Sequence, residues 1–153
     1  MSFDKIMNLV GTASLQTLEM VLFSTVFSIV LGLPLGILLC VTDPVTGIQP
    51  KPLLYQVLTR IVNALRSFPF LILMIVLFPL SRFVVGTAIG TKATIVPLSI
   101  AAAPFVARVM ESALKEVDPG VIQAARSMGS STMQIILKVL LPEALPSIVD
   151  GVT

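Results

Sequence analysis

The chain has no histidine and a single cysteine, Cys40. Zinc sites draw on Cys and His ligands, and an activated nucleophile usually relies on a neighbouring base such as imidazole. Both chemistries lack their usual parts here. One cysteine also excludes an internal disulfide framework, and its place at the end of an apolar run reads as a small buried or lipid-facing residue. Charge is scarce as well. Asp, Glu, Lys and Arg make up 12% of the 153 residues, against about 25% in soluble domains. The net charge is only +2, and the basic residues are scattered between apolar segments. Nucleic acid would need a basic face or stripe, so no nucleic-acid partner is expected.

Apolar residues are what the sequence has in excess, at 56% with a mean hydropathy of +1.02. Too few charges remain to cover a water-facing surface, so much of the outside must face membrane lipid. The N-terminus, Met1-Ser2-Phe3-Asp4-Lys5, carries balanced charge. The apolar run after it is too long for the about 7–15 residues of a signal-peptide core, so a removable leader is not expected.

Met20 to Val41 is uncharged and long enough to cross a bilayer, which takes about 20 residues; the first span is expected over about 18–41. Gly32, Pro34 and Gly36 fall in its second half. They give either a kink with a close helix contact or only the Gly and Pro that membrane helices tolerate, and both readings stand. Thr42 to Pro52 holds Asp43-Pro44, Gly47 and Pro50 and reads as a connecting loop. Leu53, Leu54, Val57, Leu58, Ile61, Val62 and Leu65 then recur at the spacing of one helix face. Ser67 to Ser81 is uncharged but short, so a second span over about 58–82 must borrow from that amphipathic portion. Arg60 and Arg66 would sit at its end, snorkelling to headgroups or facing the bundle.

Arg82 to Lys92, with Gly86 and Gly90, reads as a turn-rich connection. A third span follows over about 93–114. Arg108 and Glu111 stand three apart, Glu111 and Lys115 four apart, so they can pair on the helix surface as it leaves the membrane; a proton relay at Glu111 is the alternative. An intramembrane enzyme would need paired acids or a base–nucleophile pair within the spans. Only Glu19 and Glu111 come near, both at ends. With the N-terminus outside, Lys51, Arg60, Arg66, Arg108, Lys115, Arg126 and Lys138 fall inside, and only Lys5, Arg82 and Lys92 outside. The excess of basic residues on one side favours that orientation.

After Leu114 the character changes. Asp118-Pro119 is a helix start, Asp as cap and Pro at the first helical position. Gly129 is placed to stop a two-turn helix. Ser131-Thr132-Met133-Gln134 fits a capping box opening a second short helix through Leu141, which Pro142 is expected to end, and Pro142 could begin the next element. Ile135, Ile136, Val139 and Leu140 make one apolar face, with Arg126 and Lys138 at the rim. Such an elbow, over 118–142, suits either docking into a partner's groove or lying on lipid headgroups.

Gln123-Ala124-Ala125, then Gly129, then Val139-Leu140-Leu141-Pro142 resembles the "EAA" signature of binding-protein-dependent ABC-importer permeases. Gln123 stands where that signature has an acidic residue, so its charge is lost while its place on the helix is kept. The resemblance continues through Leu33-Pro34-Leu35-Gly36, Arg66 to Phe70, Val85-Gly86-Thr87, Ile95 to Leu98, Ala103 to Arg108 and Lys138 to Pro146. Within the family it is most similar to the methionine-importer permeases.

The resemblance implies an all-α, polytopic transmembrane bundle of the type I ABC-importer permease kind in a bacterial inner membrane. It implies a homodimer in the membrane lipid, two cytoplasmic ATP-binding subunits and an extracytoplasmic substrate-binding protein. No cofactor or catalytic residue is implied, since ATP hydrolysis belongs to the partner. The residues it implies for coupling to the ATPase are Gln123, Ala124, Ala125, Arg126, Gly129, Val139, Leu141 and Pro142. Ala124, Ala125 and Gly129 would form the close-packed heart of the elbow, with Gln123 and Arg126 as polar contacts. Such permeases have five membrane helices per subunit. A sequence ending at Thr153 is therefore expected to hold three spans plus the coupling helices.

Overall fold

The computed structural model describes residues 3–87 and 89–153; Met1 and Ser2 of the N-terminal stretch and Ala88 of the expected turn lie outside them. All regular structure among the described residues is helical.

Helix α1 runs from Phe3 to Thr42, 40 residues. At about 1.5 Å per residue it is about 60 Å long, roughly twice a hydrocarbon core. Nothing before Pro34 breaks it, so the helix starts well ahead of the expected span. Ser24, Ser28, Gly32, Gly36 and Cys40 recur every fourth residue and are all buried. That stripe meets α4, Thr91–Lys115. A Cβ on Gly32 would lie 2.7 Å from the Cβ of Val106, and one on Gly36 only 2.6 Å from that of Met110. Close helix contact is thus what these two glycines provide, as small residues do between membrane helices.

The segment expected to form one helix over 58–82 is instead two, α2 (Pro52–Ser67) and α3 (Phe70–Val85), bent by 106° at their junction. The cause is local. Pro69 disfavours the helical conformation of the residue before it, and Phe68 is extended at φ −72°, ψ 135°. Arg60 and Arg66 are exposed on α2. Among the described residues α1 and α4 are each long and apolar enough to cross a membrane, and the bent α2–α3 pair makes a third span if counted as one.

Helix α4 is the hub, packing against α1, α2, α3 and α7. Pro97 lies inside it and has no N–H, which frees the carbonyl of Ala93 one turn earlier. The hydroxyl of Ser81, fully buried on α3, donates to that carbonyl. In lipid every freed backbone group needs such a partner, so one proline fixes where α3 docks.

The chain then turns through α5 (Pro119–Ser127), α6 (Thr132–Ile135), a π turn (Ile136–Leu140) and α7 (Leu141–Val152). Pro142 stands in the first turn of α7, as the expected start of a next element, but the backbone does not break ahead of it. The widened turn bonds the Leu141 N–H to the carbonyl of Ile136. The extra residue in that turn relieves the crowding a proline imposes on the preceding turn, and the helix runs on into α7.

Candidate functional site

Three elements meet at the end of α4: the elbow α5–α6, the π turn into α7, and the loop from Asp43 to Lys51, called here the strap. They share one apolar core containing Cys40, Val41, Ile48, Leu114, Val117, Ala125, Ile135, Leu140 and Ala144.

The elbow forms from local signals. The Asp118 carboxylate accepts from the Gly120 N–H at 2.7 Å. At the other end of α5, Gly129 N–H bonds the Arg126 carbonyl and Ser130 N–H that of Ala125, which is the Schellman stop. Gly129 has φ +79° and a Cβ there would meet nothing within 4 Å. What it needs within this chain is left-handed backbone, in keeping with the helix-stopping place its spacing gives it. Ser131 and Gln134 complete the capping box in both directions.

The sequence motif is divided between two faces. Ala125 is buried, and Val139 and Leu141 pack partly against the same core. Gln123, Ala124, Gly129 and Pro142 lie on the surface. The apolar face read from the sequence, Ile135, Ile136, Val139 and Leu140, points inward, with Ile135 only 1% exposed. The outward apolar residues are Val121, Met128, Met133 and Leu137, with Met128 78% and Met133 66% exposed. Their spacing was the available signal: Val121, Ala124 and Met128 share one face of α5, and Met133 and Leu137 are one turn apart.

Arg126 reaches back, not outward: its guanidinium donates to the Ile48 carbonyl of the strap. Gln49 Nε2 donates to Thr132 Oγ1 at 2.8 Å. The strap is itself tightly folded. Asp43 Oδ1 accepts from the N–H groups of Val45 and Thr46 at 2.8 and 3.1 Å, and Gln49 and Lys51 N–H return to the carbonyls of Val41 and Thr42. A Cβ on Gly47 would sit 2.4 Å from two backbone oxygens, so no side chain fits there.

An ionic cluster closes the base. Lys115 Nζ lies 2.6 Å from Asp43 Oδ2 and 2.8 Å from Glu111 Oε1, while Arg108 Nη1 lies 2.6 Å from Glu111 Oε2. The Tyr55 hydroxyl donates to Glu111 Oε1 at 3.2 Å, and Arg108 Nη2 to Asn63 Oδ1 at 2.9 Å. Glu111 thus has the expected partners in an unexpected place: it is 3% exposed, held where α1, α2 and α4 converge. Two cations offset two carboxylates and the pairs are hydrogen-bonded, the condition under which buried charge is tolerated. Burial works to raise the Asp43 carboxyl, but the Lys115 ammonium and the Val45 and Thr46 N–H groups outweigh it, holding the carboxyl below its ordinary 3.8. Asp43 and Tyr55 were not legible as members, because their approach depends on the strap and on α2 crossing α4. Among the described residues no group of His, Cys, Asp and Glu could hold a metal ion.

The model of the family described as "binding-protein-dependent transport system inner membrane component" matches residues 32–153. The D-methionine transport system permease protein MetI of Yersinia pestis is 51% identical over 138 residues, 90% of this chain and 63% of that protein. That of Escherichia coli K12 is 50% identical with the same coverage. The probable counterpart in Vibrio cholerae is 50% identical over 95% of this chain and 64% of its own length. The chain thus spans less than two thirds of these curated relatives. Among solved structures, a chain of the MetNI methionine ABC transporter in an inward-facing conformation superposes with a TM-score of 0.94 at 47% identity, over 99% of this chain and 69% of the other. A chain of an amino acid ABC transporter solved with histidines superposes at 0.59 with 19% identity, covering 95% and 67%, a likeness of fold alone.

Proposed function

The chain belongs to the binding-protein-dependent transport system inner membrane components, and from that premise we propose that it is a permease subunit of an ATP-driven methionine importer. The observation that carries this reading is the capped elbow α5–α6 at the end of a membrane helix, presenting Met128, Met133 and Leu137 outward. An exposed apolar knuckle on an otherwise folded unit suits a groove on a partner, and the family resemblance makes that partner a cytoplasmic ATP-binding subunit. Hydrolysis belongs to that subunit. This chain supplies part of the path, as half of a homodimer that receives substrate from an extracytoplasmic binding protein.

In this reading α1 and α4 cross the membrane near 18–41 and 93–114, the bent α2–α3 pair supplies the remaining membrane segment, and the elbow lies over 118–142. The N-terminus is outside and the elbow in the cytoplasm, which puts most Lys and Arg inside. Gln123, Ala124 and Gly129 face the ATPase, whereas Ala125, Arg126, Val139, Leu141 and Pro142 shape the elbow from behind. ATP never touches this chain, so the ATPase acts by biasing which arrangement of the helices is favoured.

The test is reconstitution of the intact permease with its ATPase in vesicles, supplied with binding protein, ATP and labelled methionine. Methionine accumulation that stops without ATP is the expected result. Uptake of a different amino acid with none of methionine would favour a permease for another small solute, the second reading that the family membership supports.

A further inference from the structure

Resting on that reading, we propose that the strap, Asp43 to Lys51, is a second arm of the coupling device, joining the elbow to α1 so that elbow, strap, α4 and the adjoining half of α1 move as one lever. Asp43 and Gln49 are its positioning residues.

A loop that merely connects α1 to α2 needs no ties to the elbow, yet this one has three of different kinds. Ile48 inserts its side chain into the core shared with Ala125, Ile135 and Leu140. Its carbonyl takes the Arg126 guanidinium, and Gln49 holds Thr132 at the start of α6. Those contacts grip both helices of the elbow. At its other side the strap is anchored to α4 by Asp43 and Lys115. It folds back on the last turn of α1 through the carbonyls of Val41 and Thr42.

One covalent route from the elbow runs through Glu116-Val117-Asp118 into α4, and the other through the π turn into α7, which packs on α4 as well. Both routes lead to α4. The strap adds an attachment to the end of α1 through the Val41 and Thr42 carbonyls, so the push reaches α1 as well. From there Gly32 and Gly36 lock α1 against α4, and close-packed helices transmit displacement because packed cores deform little. The strap is stiff enough for this role, its turn being bonded through Asp43 and closed over Gly47 with no room for a side chain.

The experiment uses the intact transporter with Cys40→Ala, carrying Gln49→Cys and Thr132→Cys, and reads methionine taken up per ATP hydrolysed before and after bridging with a short bis-methanethiosulfonate. Removing the native bond is expected to lower that ratio at least threefold relative to Cys40→Ala alone, and Asp43→Asn in addition to lower it further. Bridging is expected to restore it to within twofold. A ratio unchanged by the substitutions, or transport abolished by the bridge, would overturn the proposal, the second because strap and elbow would then have to separate in the cycle. If the Asp43→Asn protein does not assemble, the bridge on the Asp43 background decides alone. Should the native transporter hydrolyse ATP yet take up no methionine, the functional reading itself fails and the inference falls with it; normal native uptake with a ratio the substitutions do not move removes only the inference.

Discussion

Lys115 Nζ stands 2.6 Å from Asp43 and 2.8 Å from Glu111, so a single ammonium group ties the end of α4 to the strap while neutralising a carboxylate buried in its own helix. The same ammonium lies 5.6 Å above the Tyr55 ring, within cation–π range.

Replacing Lys115 by Met should leave Asp43 and Glu111 short of a partner. An unsatisfied buried group costs about 1–3 kcal/mol, and the partial exposure of Lys115 places the expectation at the lower end. Thermal unfolding of the protein in detergent should show a clear drop in midpoint. Lys138→Met, at an exposed position with no ion pair among the described residues, should change stability by less than about 0.5 kcal/mol. Equal midpoints for the two variants would count against the cluster.

The cluster also predicts a pH dependence. The Asp43 carboxyl is held below its ordinary 3.8 in the folded protein, so protons bind the unfolded form more readily. Its contribution is therefore complete above about pH 3.8 and lost as pH falls through the lower folded value. Unfolding midpoints of the native protein and Asp43→Asn, followed from pH 6 downward, should stay apart and then converge below about pH 3.8. A gap that persists at acid pH would contradict this.

Gly36→Val should force α1 from α4, since even a Cβ would lie 2.6 Å from Met110 and 2.8 Å from the Ala107 carbonyl. Overpacking of this kind costs about 1–3 kcal/mol. Gly11→Ala, where a Cβ meets nothing within 4 Å, should be neutral or stabilising by up to about 1 kcal/mol. Comparing the two by unfolding in detergent separates close approach from general sensitivity of membrane glycines.

At Gly129 the backbone is left-handed without crowding, so Gly129→Ala should cost about 1–2 kcal/mol and Gly129→Asn less, Asn being the better tolerated residue there. If Ala and Asn were equally harmful, the constraint would be steric contact with a partner and not the φ angle.

Met133→Glu and Leu137→Glu place charge on exposed positions of the elbow. Both should leave the unfolding midpoint within about 0.5 kcal/mol of native while sharply reducing co-purification with the ATPase. Ile135→Glu, buried in the core, should instead destabilise the protein itself. Retained co-purification of Met133→Glu would move the docking face elsewhere.

Much of this was legible beforehand because its causes are local. The caps at Asp118, Gly129 and Ser131 each depend on a few adjacent residues, and all three appear where the spacing put them. Apolar run length marked α1 and α4 as spanning helices. Even the break at Phe68–Pro69 has its signal in the X-Pro pair, but the short uncharged run Ser67 to Ser81 masks it, being too short to span without residues from α2.

The amino-acid sequence by itself determined that this is a helical membrane protein, where its short helices begin and stop, and that its elbow carries the family's motif. Only the tertiary structure decided which side of that elbow is core and which is surface, that Arg126 serves the strap, that Asp43 and Tyr55 complete the Glu111 cluster, and that Pro142 lies within a continuous helix. The reason is reach: caps and periodicity act over about four residues along one helix, whereas a buried ion pair or an inward face exists only once separate helices have met.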